Sequence, residues 1–66
     1  MRINVNGQCE DLDEGLTILG FLHVKKLEPR EVVVELNRTI IIKDDFDTLV
    51  LKENDNLEVL RFVGGG

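Results

Sequence analysis

The sequence predicts an α+β fold in which a mixed sheet of four to five strands carries one main helix across one face. Three observations lead there. Ile3 and Val5 alternate with Arg2 and Asn4 and run straight into Asn6-Gly7, the strongest short hairpin signal. Ile18, Leu19, Phe21 and Leu22 supply apolar positions at helical spacing behind Thr17. Leu57-Glu58-Val59-Leu60-Arg61-Phe62-Val63 reads as a last strand that passes directly into Gly64-Gly65-Gly66.

Taken in order, Asn6 and Gly7 both tolerate the positive φ of a type I′ turn, so Gln8 to Leu12 returns as the second strand. A two-residue loop pairs Cys9 with Asn4 and points it away from the Ile3 and Val5 face; a bulged turn reverses that, and the sequence leaves both open. Asp13-Glu14-Gly15 breaks the strand, and Thr17 is the expected N-cap of a helix from Ile18 to Lys25. Gly20 inside that helix costs about 1 kcal/mol relative to alanine, so the helix must draw its stability from packing Ile18, Phe21 and Leu22 onto the sheet. Lys25 and Lys26 suit the negative end of the helix dipole, and Pro29 closes the exit loop Leu27-Glu28-Pro29-Arg30 to further helix.

Val32 to Asn37 is β-branched and nearly continuous in apolar character, as an interior strand is. Asn37-Arg38-Thr39 turns the chain, and Ile40-Ile41-Ile42 runs back. Phe46, alone among polar neighbours, is expected to plug one end of the core. Thr48 to Leu51 is a candidate further short strand, and Glu53-Asn54-Asp55-Asn56 is a turn by composition. A crossover through the helix lets the last strand lie parallel beside the first. The expected core is Ile3, Val5, Ile18, Leu22, Val32 or Val33, Leu36, Phe46, Leu57 and Val59. Leu60 and Phe62 alternate with these, so they are expected on the open face and, with Val63, form the candidate partner-binding surface.

The 66 residues are read as a single domain, 1–66, with a tail at 63–66, and a chain this short buries only about 60% of the surface its unfolded form exposes. A roomy internal active site is not expected. No apolar run approaches the roughly 18 residues of a membrane span, and the start lacks the pattern of a secretory signal, so a cytoplasmic protein with no membrane partner is expected. Thirteen acidic against eight basic side chains give a formal charge of -5, which opposes nucleic-acid binding and favours a partner with a basic surface. Glu10, Asp11, Asp13 and Glu14 concentrate the acid, although such a run is more often a solvated loop. With one Cys and one His there is no internal disulfide and no metal site, and a Cys9–His23 nucleophile pair lacks supporting groups.

Three glycines cannot extend a strand or helix, because glycine loses the most backbone entropy on ordering and has no side chain to bury. They offer instead a thin, flexible strip of backbone ending in an uncrowded carboxylate. The segment Val33-Val34-Glu35-Leu36-Asn37, then Phe46, Leu51, Asn54-Asp55-Asn56-Leu57-Glu58-Val59 and Phe62-Val63-Gly64-Gly65-Gly66, together with Val5-Asn6-Gly7 and Thr17-Ile18, resembles the ThiS family of sulfur carriers for thiamine thiazole synthesis. The resemblance implies a β-grasp (ubiquitin-like) fold. It also implies a carrier, not an enzyme, whose Gly66 carboxylate is adenylated by an E1-like enzyme (ThiF), converted to a thiocarboxylate with sulfur from a donor protein, and presented to thiazole synthase (ThiG). Gly64 and Gly65 are then the access strip. No cofactor is expected in the carrier; Mg-ATP would be used by the activating partner, since this chain has no phosphate-cradling loop leading into a helix.

Two departures from the family pattern stand out: Asn54-Asp55 where Gly-Asp is usual, and Ile42 where a proline is common. A MoaD-like carrier for molybdopterin synthesis is the nearest alternative, though such chains usually carry a proline before the tail. A ubiquitin-like protein modifier would use the same Gly66 adenylate with a lysine as acceptor, and a β-grasp adaptor would need no terminal chemistry.

Overall fold

The turn at Asn6-Gly7 decides the register of the first hairpin. In the computed structural model, which describes residues 1–62, both turn residues take positive φ, 51° and 82°. This two-residue turn pairs β1 (Arg2–Val5) with β2 (Gln8–Asp11), and Asn4 lies opposite Cys9. Of the two orientations the sequence left open, Cys9 therefore takes the one away from Ile3 and Val5, both of which are buried.

The helix α1 (Ile18–Val24) begins as expected at Thr17, whose hydroxyl accepts a hydrogen bond from Gly20 N at 3.0 Å. A Cβ on Gly20 would stand 2.8 Å from Leu16 Cδ1, so the glycine that weakens the helix makes room for the side chain just before its cap. At the other end Leu27 N donates to Leu22 O and Lys26 N to His23 O, with Lys26 at φ 60°. This is a Schellman closure with lysine in the place where glycine is usual. Lys25 reaches back to Glu10 on β2 at 2.6 Å and lies over the Phe21 ring, tying the helix end to the hairpin.

Pro29 opens a short 3₁₀ turn (Pro29–Glu31) where the sequence suggested only a loop, at a position that needs no N–H. β3 (Val32–Leu36) and β4 (Thr39–Ile41) then pair antiparallel around Asn37-Arg38, both at positive φ. Ile42 is extended (φ -75°, ψ 151°), the backbone that a proline would favour, and leads into a second 3₁₀ turn, Lys43–Asp45. Asn54, in place of the glycine usual in the family, takes φ 70°, which asparagine tolerates.

Thr48 to Leu51 is not a strand. Its backbone meets the helix approach instead: Ile18 N donates to Leu49 O, Leu51 N donates to Leu16 O, and Thr17 and Val50 form an isolated bridge. The ladder cannot lengthen because its partner turns into α1 at Ile18.

β5 (Asn56–Arg61) lies parallel to β1 and antiparallel to β3, so the described residues form one five-stranded mixed sheet in the order β2-β1-β5-β3-β4. The helix covers one face. Ile3, Val5, Ile18, Phe21, Leu22, Val32, Val34, Phe46, Leu51 and Leu57 are buried there, with Leu36 and Val59 partly so. Full burial of one such side chain contributes about 1.5–3 kcal/mol. Between the two valines that alternation could not separate, Val32 is the buried one at 7% exposure, against 40% for Val33.

Candidate functional site

The site is built on β5, because that strand carries the chain toward Val63 and Gly64-Gly65-Gly66, which lie outside the described residues. On one side, β3 accompanies it to the end: Val32 pairs with Arg61, and Phe62 N donates to Glu31 O at 2.9 Å. On the other side, β1 turns away at Asn6, and the Asn6 side chain takes over. Asn6 N donates to Leu57 O, Val59 N donates to Asn6 Oδ1 at 2.9 Å, and Asn6 Nδ2 donates to Val59 O at 3.2 Å. One amide thus extends the ladder beyond the last β1 residue.

The second hairpin repeats the device at the start of β5. Asn37 N donates to Asn56 O, Asn56 N donates to Asn37 Oδ1 at 2.9 Å, and Asn37 Nδ2 donates to Asp55 Oδ1 at 3.0 Å. Both asparagines sit at φ 51°, so each meets a turn requirement with its backbone and holds β5 with its side chain. Asn6→Gly keeps the turn but removes two hydrogen bonds to Val59. A loss of about 1–2 kcal/mol in urea unfolding is expected, with faster amide exchange at Val59 than in the parent.

Alternation along the strands sorts the rest. The face away from the helix carries Val33 and Glu35 from β3, Ile40 from β4, and Glu58 and Leu60 from β5, and Phe62, next in the same alternation, follows one residue past the strand. Leu60 is 67% exposed, Ile40 64% and Phe62 44%. The expected open-face positions of Leu60 and Phe62 are the observed ones. Val33 and Ile40 widen the patch beyond what the last strand alone suggested, because Val33 pairs with Leu60 and Ile40 with Glu35.

The other half of this face, toward β2, is polar: Arg2, Asn4, Cys9 and Asp11. The Arg2 guanidinium is held above its ordinary value first by its hydrogen bond to Asp11, at 3.4 Å, then by the charge of Asp11. It is charged at any working pH. Cys9 and His23 lie on opposite sides of the sheet and form no nucleophile pair. Among the described residues no group of three or more His, Cys, Asp or Glu is placed to hold a metal ion, and no helix is long and apolar enough to cross a membrane.

This architecture can be set against known proteins. A family model described as the ThiS family matches residues 3–66. The chain belongs to the ThiS family. The crystal structure of the thiamine biosynthesis protein ThiS from Geobacter metallireducens superposes with a TM-score of 0.85 at 35% identity, covering 100% of both chains, and so confirms the β-grasp fold. The sulfur carrier protein ThiS of Bacillus subtilis is 40% identical over 50 residues, 76% of each chain. A thiazole synthase of Magnetococcus marinus is 35% identical over all 66 residues, and the chain spans 20% of that protein's length. Within this fold β5 is the strand that runs toward the C-terminal glycines, and the Asn6 and Asn37 side chains hydrogen-bond to it.

Proposed function

We propose that the chain carries sulfur on its own C-terminal residue for synthesis of the thiamine thiazole. Gly66 is the covalent carrier: its carboxylate attacks the α-phosphate of Mg-ATP on an E1-like adenylyltransferase (ThiF), and pyrophosphate leaves. Hydrosulfide released from a donor protein then attacks the acyl-adenylate carbonyl: the C–S bond forms, the C–O bond to AMP breaks, and the thiocarboxylate results with loss of a proton. The activated end passes to thiazole synthase (ThiG). In this reading the chain is a protein co-substrate and its partners hold the nucleotide.

One observation carries the reading in the structure. The strand that leads to the glycines is the central strand of the sheet, and its exposed side, Leu60 and Phe62, is apolar at the point of exit. An activating enzyme can grip that patch while Gly64 and Gly65, having no Cβ, thread a narrow channel. The Magnetococcus marinus relative, named thiazole synthase, includes a segment similar to this whole chain, which supports thiazole synthase as the recipient.

The test is intact-mass measurement after incubating the purified chain with ATP, the activating enzyme and a sulfur source. The expected product is heavier by the exchange of one oxygen for one sulfur, lies at the C-terminus, and is consumed by thiazole synthase. A chain that forms no adenylate and retains its carboxylate under these conditions overturns the proposal.

A further inference from the structure

Within the acid run near the first hairpin, two carboxylates already have basic neighbours. Glu10 is tied to Lys25 at 2.6 Å and Asp11 to Arg2 at 3.4 Å. Two other carboxylates stand in a different situation. Glu35 on β3 and Glu58 on β5 lie directly opposite each other in the middle of the open face, and neither forms an ion pair among the described residues. Like charges directly opposite on neighbouring strands are destabilising, and here Val33, Leu60 and Ile40 surround them with apolar surface.

The two carboxylates also share a shallow depression, lined by Asn6, Val33, Glu35, Glu58, Val59 and Leu60. Its apolar walls and two anionic groups match a long side chain with an aliphatic stem and a cationic head. Among the basic side chains, the planar fork of arginine offers donors to both carboxylates at once. A second copy of this chain does not fit, because a two-fold pairing of this face would bring four carboxylates into one apolar interface. Two carboxylates alone are too few ligands for a calcium cage.

We infer that Glu35 and Glu58 form a receptor for an arginine side chain on a heterologous protein partner, set within the apolar patch that leads to the tail. The inference rests on the proposed docking of this face to the activating enzyme or the synthase, and it adds the chemistry of the contact: a basic group ringed by apolar side chains. The partner neutralises a repulsion that the free chain retains.

The experiment measures binding of the full chain, of E35Q/E58Q and of Leu60→Asp to the activating enzyme and to thiazole synthase of the same organism, at low and high salt. E35Q/E58Q is expected to bind at least one enzyme about 10–100-fold more weakly at low salt, the size of a lost charge-assisted contact, and to show a flatter salt dependence. Its thermal midpoint is expected to equal or exceed that of the parent. Parent-like affinity of E35Q/E58Q for both enzymes, while Leu60→Asp is impaired, overturns the arginine receptor and leaves the docking reading standing. Parent-like affinity of both variants removes the docking reading and the inference with it. A parent chain that sediments as a dimer dissociated by Leu60→Asp also overturns the inference, since a second copy would then cover the face.

Discussion

Replacing Gly65 with valine is expected to abolish carrier function while leaving the folded chain intact. Among the described residues every buried core side chain lies at or before Leu57, so a change at position 65 removes none of them, and the thermal midpoint is expected to match the parent's. The cost falls on the chemistry. In the proposed mechanism a Cβ at Gly65 would displace the carbonyl of Gly66 from the nucleotide or the sulfur nucleophile, and a displacement of about 1 Å at a reacting group costs on the order of 100-fold in rate. Adenylate formation, followed by pyrophosphate release, is expected to fall by about that factor or more. Removing Gly65 and Gly66 together is expected to eliminate it. Wild-type thiocarboxylation of Gly65→Val would show that the Gly64-Gly65 strip is not needed for access, and thiazole formation with the shortened chain would show that the carrier residue is not Gly66.

The second large effect is expected at Leu60 and Phe62. Both side chains face away from the helix, so aspartate at either position meets solvent in the free chain, and stability is expected to change by less than about 0.5 kcal/mol. In the proposed complex the same carboxylate would be buried against apolar surface. Loss of an anchor of this kind typically costs about 2 kcal/mol or more, roughly 30-fold in affinity. Calorimetric titration against the activating enzyme and the synthase checks this. Unchanged affinity for both enzymes would mean that the patch is not the docking surface.

Local signals carried much of the fold. Asn6-Gly7 named its turn, Thr17 its cap, and the break at Asp13-Glu14-Gly15 separated β2 from α1. The parallel pairing of β1 with β5 followed from the crossover. What the sequence could not show was mostly long-range. Thr48 to Leu51 has strand-like composition, but its partner segment enters a helix, and that competition is decided by tertiary packing. Val34 and Leu51 were absent from the expected core because a nearly continuous apolar run hides its own alternation and an irregular segment has none.

The candidate site shows the same division. Leu60 and Phe62 were legible from alternation along one strand. The opposition of Glu35 and Glu58 depends on the β3–β5 register, and the reach of Asn6 to Val59 spans 53 residues, so no local window contains either. The turn chemistry of Asn6 was visible, but its second task was not. Val63, Gly64, Gly65 and Gly66 rest on sequence and family because they lie outside the described residues.

The central place of β5 has a consequence for the order of events during synthesis. β5 is the last of the described strands in chain order, yet it separates β1 from β3 and supplies Leu57 to the core. A nascent chain halted before Asn56 holds two hairpins whose inner edges have no strand between them, and those non-local pairings must wait. The sheet closes only after the ribosome has passed through β5. Because Leu60 is part of that strand, the exposed apolar patch comes into being together with the closed sheet, and a prematurely terminated product would lack the proposed docking surface.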